Sequence, residues 1–370
     1  MYWIRYLNAS VFVASLGLAV STYMIPIYAQ YFGASYFDLG FLGLTRSLPY
    51  MIIPLVAGYF SDRFSRVFIY LIGIAINSSS MLALSFSNTL THIYAAQILG
   101  GIGISLFWPI AETILSEIND SEKRIKAYSQ YNISWSSAFL IGPFIGGVLT
   151  RFLNLKDLFM LSCFIISLSI VFVFMVSRGY RFLRASRISG FSFSFSLTRI
   201  YFSIIPYSMV YASVVYIFPG YANLHGLSEF QVGVLFTVFG LARIISYYLI
   251  PYIVGFGSSR ILSAMSMIMF GSMMFIGLFH EASTFIISLF LLGFSLGSFF
   301  PLTLNMISNR LSVRDLGFGV GLYESIFGFG FTVGPILNGL IADTLNPELS
   351  YVIIGFLALL IIPLVSMFKD

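Results

Sequence analysis

The sequence predicts an all-α membrane protein of twelve transmembrane helices, arranged as two six-helix bundles related by a pseudo-two-fold axis. Three observations carry this prediction: a composition no soluble fold tolerates, twelve apolar runs of spanning length, and an internal repeat. Of 370 residues, 58% are apolar and 9% charged, against roughly 25% charged in soluble globular proteins, and the mean hydropathy is +0.94. A compact soluble shape could not hide so much apolar surface. A cytosolic enzyme, a secreted disulfide scaffold and a disordered chain are thereby excluded. The single cysteine, Cys163, leaves no intrachain disulfide to form.

A helical span needs about 20 mostly apolar residues. Such runs fall at 6–29, 38–60, 67–87, 91–115, 127–150 and 157–177, then at 200–224, 229–252, 261–279, 283–307, 317–342 and 349–368. Met1–Arg5 leads into a run too long for a signal-peptide core, so no cleavable signal is expected. Of the 19 Lys and Arg, Arg46 and Arg243 fall inside spans. With the N-terminus inside, only Arg151 and Lys156 lie outside, and all the others are cytoplasmic. By the positive-inside rule both termini are cytoplasmic in a multi-pass plasma-membrane protein. The net charge of +5 therefore reads as an orientation signal. No groove of stacking aromatics accompanies these arginines, and nucleic acid is not an expected partner.

The stretch Arg178–Arg199 holds five arginines and divides the chain into bundles at 1–177 and 200–370, with 178–199 as a cytoplasmic linker. It reads equally as an amphipathic helix on the anionic leaflet or as a solvated connector. Shifting residues 97–149 by 192 positions superposes identical residues, among them Pro109/Pro301, Tyr131/Tyr323, Gly142/Gly334, Pro143/Pro335 and Gly147/Gly339. Spans four and five thus map onto ten and eleven. An even number of spans per repeat gives both halves one orientation, with an axis along the membrane normal and a site at their interface near the midplane.

Between spans two and three, Gly58, Asp62, Arg63 and Arg66 form a compact charged loop at the inner face. This loop resembles motif A of the major facilitator superfamily, G-x-L-x-D-R-x-G-R, with Phe60 and Ser65 as departures. The resemblance implies a cytoplasmic gate. In span five, Gly142, Pro143, Gly146 and Gly147 resemble the GPxxGG of that superfamily's motif C, associated with proton-coupled exporters. Gly334 and Pro335 repeat the feature in span eleven. Small faces of this kind let helices approach closely, and a proline offers a bend about which a bundle rocks. Span four resembles motif B in part, with Gln97 in place of its arginine. The family fold implies that spans 1, 2, 4, 5, 7, 8, 10 and 11 line a central cavity.

Ionised groups are costly in hydrocarbon and face a water-filled path or a partner. Four such residues, Arg46, Glu112, Arg243 and Glu324, all fall on implied lining spans. Glu324, about 10 Å up from the cytoplasmic start of its span at 1.5 Å per residue, is the leading proton carrier. Arg243, in the same half, is its expected ion-pair partner. Glu112 reads either as a second carrier or as an anchor for the cytoplasmic cluster. The repeat sets Asn132 opposite Glu324 and Tyr131 opposite Tyr323, as positions that meet substrate. Trp108, Trp135, Tyr23 and Tyr211 add aromatic surface suited to amphipathic or cationic compounds. His92, His225 and His280 read as scattered, and no metal site is expected.

The sequence has no P-loop and calls for no cofactor or catalytic residue. It predicts a non-enzymatic, monomeric secondary transporter, driven by the proton gradient and exporting small amphipathic molecules by alternating access. A carrier of a small anionic metabolite, bound by Arg46 and Arg243, is the second reading. A sensor or lipid flippase without ion coupling is the third.

Overall fold

The computed structural model describes residues 2–61, 65–116, 118, 121–180, 195–308, 310 and 316–366. Helices dominate them. The first six spans are α1 (Trp3–Gln30), α2 (Tyr36–Ser61), α3 (Arg66–Ser85), α4 (Leu90–Ser116), α5 (Ser121–Leu149) and α6 (Leu155–Gly179). The second set is α7 (Phe195–Tyr216 with Phe218–Leu224), α8 (Glu229–Ile253), α9 (Ser258–Leu278), α10 (Ala282–Ser308), α11 (Leu316–Thr344) and α12 (Pro347–Leu359 with Ile361–Val365). Ten described helices are long and apolar enough to cross a membrane, and the bent pair in α7 makes eleven. α2 supplies the remaining predicted span.

Helix starts explain the boundaries on the face away from Trp3, here the far face, which the charge pattern predicts to be external. Asn154 caps α6 by accepting from the Asp157 N–H, and Asn346 caps α12 by accepting from Leu349. Ser228 and Gln231 form a capping box at α8. Each satisfies backbone donors that a helix cannot bond internally.

Two helices break at matching places. α1 is interrupted by a 3-10 turn at Thr22–Met24, just before Pro26, and α7 bends by 42° between Tyr216 and Phe218, just before Pro219. Proline lacks the N–H that would continue the ladder. The Thr22 hydroxyl donates to the Leu18 carbonyl at 2.7 Å, compensating part of the break.

Within the first bundle α1 packs on α5 and α6, and α4 on α2 and α3. In the second, α8 packs on α10, α7 on α11, and α9 on α10 and α12. The bundles meet along two seams, α2 with α11 and α5 with α8. A Cβ on Gly40 of α2 would strike the Pro335 carbonyl of α11. On Gly233 of α8 it would meet the Pro143 carbonyl of α5. Gly339 abuts Tyr36 and Phe37, as Gly147 abuts Phe230. The repeat read in the sequence therefore builds two equivalent seams of backbone-to-backbone contact.

The motif C glycines divide between duties. Gly142 and Gly146 face Ala19 and Val20 of α1, inside one bundle, and Gly334 faces Met209 of α7. Only Gly147 of that set reaches across to α8. Pro143 and Pro335 both lie within continuous helices.

The far face is latched by polar contacts between bundles. Both oxygens of the Asp343 carboxylate, near the end of α11, accept from the first backbone N–H groups of α2, Tyr36 at 3.1 Å and Phe37 at 2.8 Å. An anion at a helix N-terminus also meets the positive end of its dipole. The Tyr31 hydroxyl donates to Glu229, and the Arg151 guanidinium sits 3.8 Å from the Phe230 ring centroid. Asp343→Ala is expected to remove an interaction of about 0.5–2 kcal/mol, the range for helix caps, and so to favour opening roughly two- to thirty-fold. The check is the rate at which an impermeant thiol reagent, added at the far face, labels Ser47→Cys in a Cys163→Ser background. An unchanged rate would remove Asp343 from the latch.

Candidate functional site

A central cavity of about 250 Å³ lies between the bundles. Its wall draws on α1, α2, α4 and α5 of the first bundle and α7, α8, α10 and α11 of the second. These are the eight spans that the family resemblance implies. Arg46, Trp108, Glu112, Tyr131, Asn132, Trp135, Arg243 and Glu324 all reach it.

Tyr323 does not. One residue from Glu324, it points about 100° around the helix and is buried, with its hydroxyl 3.2 Å from that of Thr303 and its ring edge-on to Phe300. Of the motif A residues, Gly58 falls within α2 and Arg66 begins α3, where it is buried. Asp62 and Arg63 lie outside the described residues, as does most of the 178–199 linker.

The expected Arg243–Glu324 ion pair is not formed. The Arg243 guanidinium donates to the hydroxyl of Tyr211 and, at 3.1 Å, to that of Tyr247, one helical turn along α8. It also lies 4.9 Å from the Tyr211 ring centroid and 6.0 Å from that of Trp135. Phenol hydroxyls and aromatic faces thus solvate this cation without neutralising it. Arg46 is 5% exposed and directs a guanidinium N–H to the Gln97 side-chain oxygen at 3.4 Å. Gln97, where motif B has arginine, accordingly contacts an arginine delivered from α2.

The two carboxylates are held lightly. Glu324 accepts from the Tyr50 hydroxyl at 3.2 Å, and Glu112 from that of Tyr131 at 3.4 Å. Each carboxylate can accept about four hydrogen bonds, so both keep free acceptor capacity toward the cavity. Both line the same cavity wall. The Tyr50–Glu324 bond joins α2 to α11, and so spans a seam. Beside it, the Ser47 hydroxyl, which donates to the Gly43 carbonyl of its own helix, lies 3.2 Å from the Phe331 carbonyl and accepts from the Thr332 hydroxyl at 3.2 Å.

Aromatic side chains make the rest of the wall. Trp108, Trp135 and Phe139 line one side, and the Trp135 indole donates to Asn132 at 3.0 Å. Tyr211, Phe327 and Phe331 cluster opposite, with centroids 4.7–6.3 Å apart. Toward the far face, Tyr23 stacks on Phe236 at 3.7 Å between centroids, where the broken helix α1 meets α8. Sequence reading missed Tyr50, Tyr247 and Ser47. They are ordinary residues in an aromatic-rich chain, and only their placement marks them.

The model of the Major Facilitator Superfamily matches residues 7–199 and again residues 200–370. The chain belongs to the major facilitator superfamily. Its family and fold are those of transporters, which bind small molecules and sit in the lipid bilayer as multi-pass proteins. Multidrug resistance protein 2 of Bacillus subtilis (strain 168) is 27% identical over 146 residues, 40% of this chain and 36% of the relative. Quinolone resistance protein NorA of Staphylococcus aureus is 24% identical over 149 residues, 40% of this chain and 38% of the relative. The matched stretches thus span well under half the length of these two resistance proteins. A bacterial homologue of the human lysosomal transporter Spinster, solved inward-facing and unoccupied, superposes with a TM-score of 0.77 at 13% identity, covering 99% of this chain and 95% of its own. This major facilitator superfamily member shares its fold.

The histidines correct one further expectation. His225 and His280 are not scattered: their rings stack at 4.5 Å, beside Glu348.

Proposed function

We propose that this transporter exports small amphipathic, aromatic compounds in exchange for protons, by alternating access across the plasma membrane with both termini cytoplasmic. The observation that carries this reading is the pairing of an aromatic-walled cavity with two lightly held carboxylates. Planar apolar compounds stack on Trp135, Phe327 and Phe331, while Glu324 and Glu112 take either protons or the substrate's positive charge. Identity to drug-resistance relatives, though partial, agrees with it.

Glu324 links protonation to closure. An ionised carboxylate accepts a hydrogen bond worth about 1.5–3 kcal/mol, against about 0.5–1.5 for a neutral one. Protonating Glu324 therefore weakens its bond from Tyr50 and loosens the α2–α11 seam. Arg243, solvated by Tyr211 and Tyr247, supplies a fixed positive charge that disfavours a cationic substrate until a carboxylate is ionised. The bundles 1–177 and 200–370 are then the two rocking bodies, the loop Gly58–Arg66 gates the inner side, and the chain acts as a monomer.

A second reading rests on a specific feature: among the described residues neither Arg46 nor Arg243 has an ion-pair partner, and both line the cavity. An organic anion would find two cations there. The test uses proteoliposomes with an imposed pH gradient, comparing an aromatic cation, tetraphenylphosphonium, with an aromatic carboxylate. Gradient-driven movement of the cation supports export of amphipathic compounds. Movement of the carboxylate alone, lost in Arg243→Ala, would replace that reading with the second.

A further inference from the structure

We propose that His225, His280 and Glu348 form a binding site for a divalent transition-metal ion such as zinc on the far face of the second bundle. The three come from separate elements. His225 follows α7, His280 lies in the turn between α9 and α10, and Glu348 is in the first turn of α12. Folding brings one ligand atom from each to within 4.8 Å of the others.

The surroundings of His225 set the tautomer of its neutral ring. Its Nδ1 lies 2.9 Å from the backbone carbonyl of Tyr221. A carbonyl only accepts, so Nδ1 carries a hydrogen, and in the neutral ring Nε2 presents a lone pair. A backbone carbonyl orienting the distal nitrogen is the usual support of a metal-bound histidine. That Nε2 faces Glu348 Oε1 at 3.9 Å, too far for a hydrogen bond. Two ligand atoms about 2.0–2.2 Å from one tetrahedral zinc sit about 3.3–3.5 Å apart, so a small side-chain rotation brings them into one coordination sphere.

The His280 ring lies nearly parallel to that of His225, with 19° between planes. Two imidazoles and a carboxylate suit zinc and its neighbours among the first-row ions, with water completing the shell. The side chains of His225 and Glu348 are 23% and 39% exposed, so an ion reaches them directly from the aqueous side.

Position gives the site a consequence. The short outer half of α7, Phe218–Leu224, precedes His225 and packs against the first bundle. A Cβ on its Gly220 would meet Leu39 of α2 and Gln30 of α1, and its Tyr221 ring faces Tyr36. An ion held by His225, His280 and Glu348 ties that segment to α12 and to the α9–α10 turn. It braces the surface on which the far face closes.

The experiment is calorimetric titration of ZnCl2 into the purified, chelator-stripped full chain in detergent, with melting temperature as a second readout. Saturable binding of one zinc per chain is expected, with a raised melting temperature. His225→Gln, His280→Gln and Glu348→Gln should each weaken binding at least about tenfold, while melting like the parent in EDTA. His92→Gln, outside the cluster, should bind as the parent does. Absence of saturable binding in the parent would overturn the proposal, as would binding that survives in the His225→Gln, His280→Gln double variant. A variant that melts early in EDTA is replaced by its alanine counterpart before scoring.

Discussion

Glu324→Gln is expected to abolish accumulation driven by a pH gradient while leaving substrate binding within about threefold of the parent, less than about 0.7 kcal/mol. Glutamine keeps the shape, and its amide oxygen still accepts from Tyr50, whose hydroxyl lies 3.2 Å from the native carboxylate. The variant cannot exchange a proton. If Glu324 merely held the seam together, the amide would preserve coupling. The measurement is initial transport rate in proteoliposomes at fixed substrate, with and without the gradient. Retained gradient dependence would move the proton role to Glu112. Glu112 also lines the cavity, but at about 1.5 Å per residue it lies some 6 Å from the end of α4, nearer to water.

Gly40→Val should be nearly as severe and by a different route. Even a Cβ there would strike the Pro335 carbonyl and come within 3.0 Å of the Ile336 Cα. Those are backbone atoms of a packed helix, with no flexible side chain to give way. Overpacking costs about 1–3 kcal/mol, and valine adds two methyl groups beyond that Cβ. The far face should then stay open, transport should fall by at least about tenfold, equivalent to about 1.4 kcal/mol, and a Ser47→Cys reporter in the Cys163→Ser background should become more reactive to impermeant thiol reagents from that side. Gly271 of α9, where a Cβ would meet open space, provides the control: Gly271→Ala should transport normally. Normal transport in Gly40→Val would show that the α2–α11 seam does not close during the cycle.

Much of this architecture was legible in the residues. Spanning runs gave the helices, because a bilayer forces backbone groups to bond internally. The 192-residue repeat gave the pseudo-symmetry, and with a one-residue shift it extends to α2 and α8, where Gly40 and Gly233 meet the Pro335 and Pro143 carbonyls. Charges on the implied lining spans did mark the cavity. Their partners were not legible. Depth along a helix is readable at a fixed rise per residue, but rotation about its axis is not. Hence Arg243 and Glu324, set at similar depth, turned out to bond Tyr211, Tyr247 and Tyr50 instead of each other. The same limit separates Tyr323, which is buried, from its neighbour Glu324, which faces the cavity. His225, His280 and Glu348 were invisible for another reason: tertiary packing alone joins the ends of α7, α9 and α12.

The central claim is that substrate and protons contend for one set of carboxylates in one cavity. It is tested most directly by measuring proton release when an aromatic cation is added to the purified transporter in weakly buffered detergent solution near neutral pH. Binding should release protons from the parent, whereas the Glu112→Gln, Glu324→Gln double variant, left with only the Arg46 and Arg243 charges in its cavity, should bind the cation more weakly and release none even at saturating compound. Saturable binding with no proton release from the parent, across the neutral range, would contradict the account.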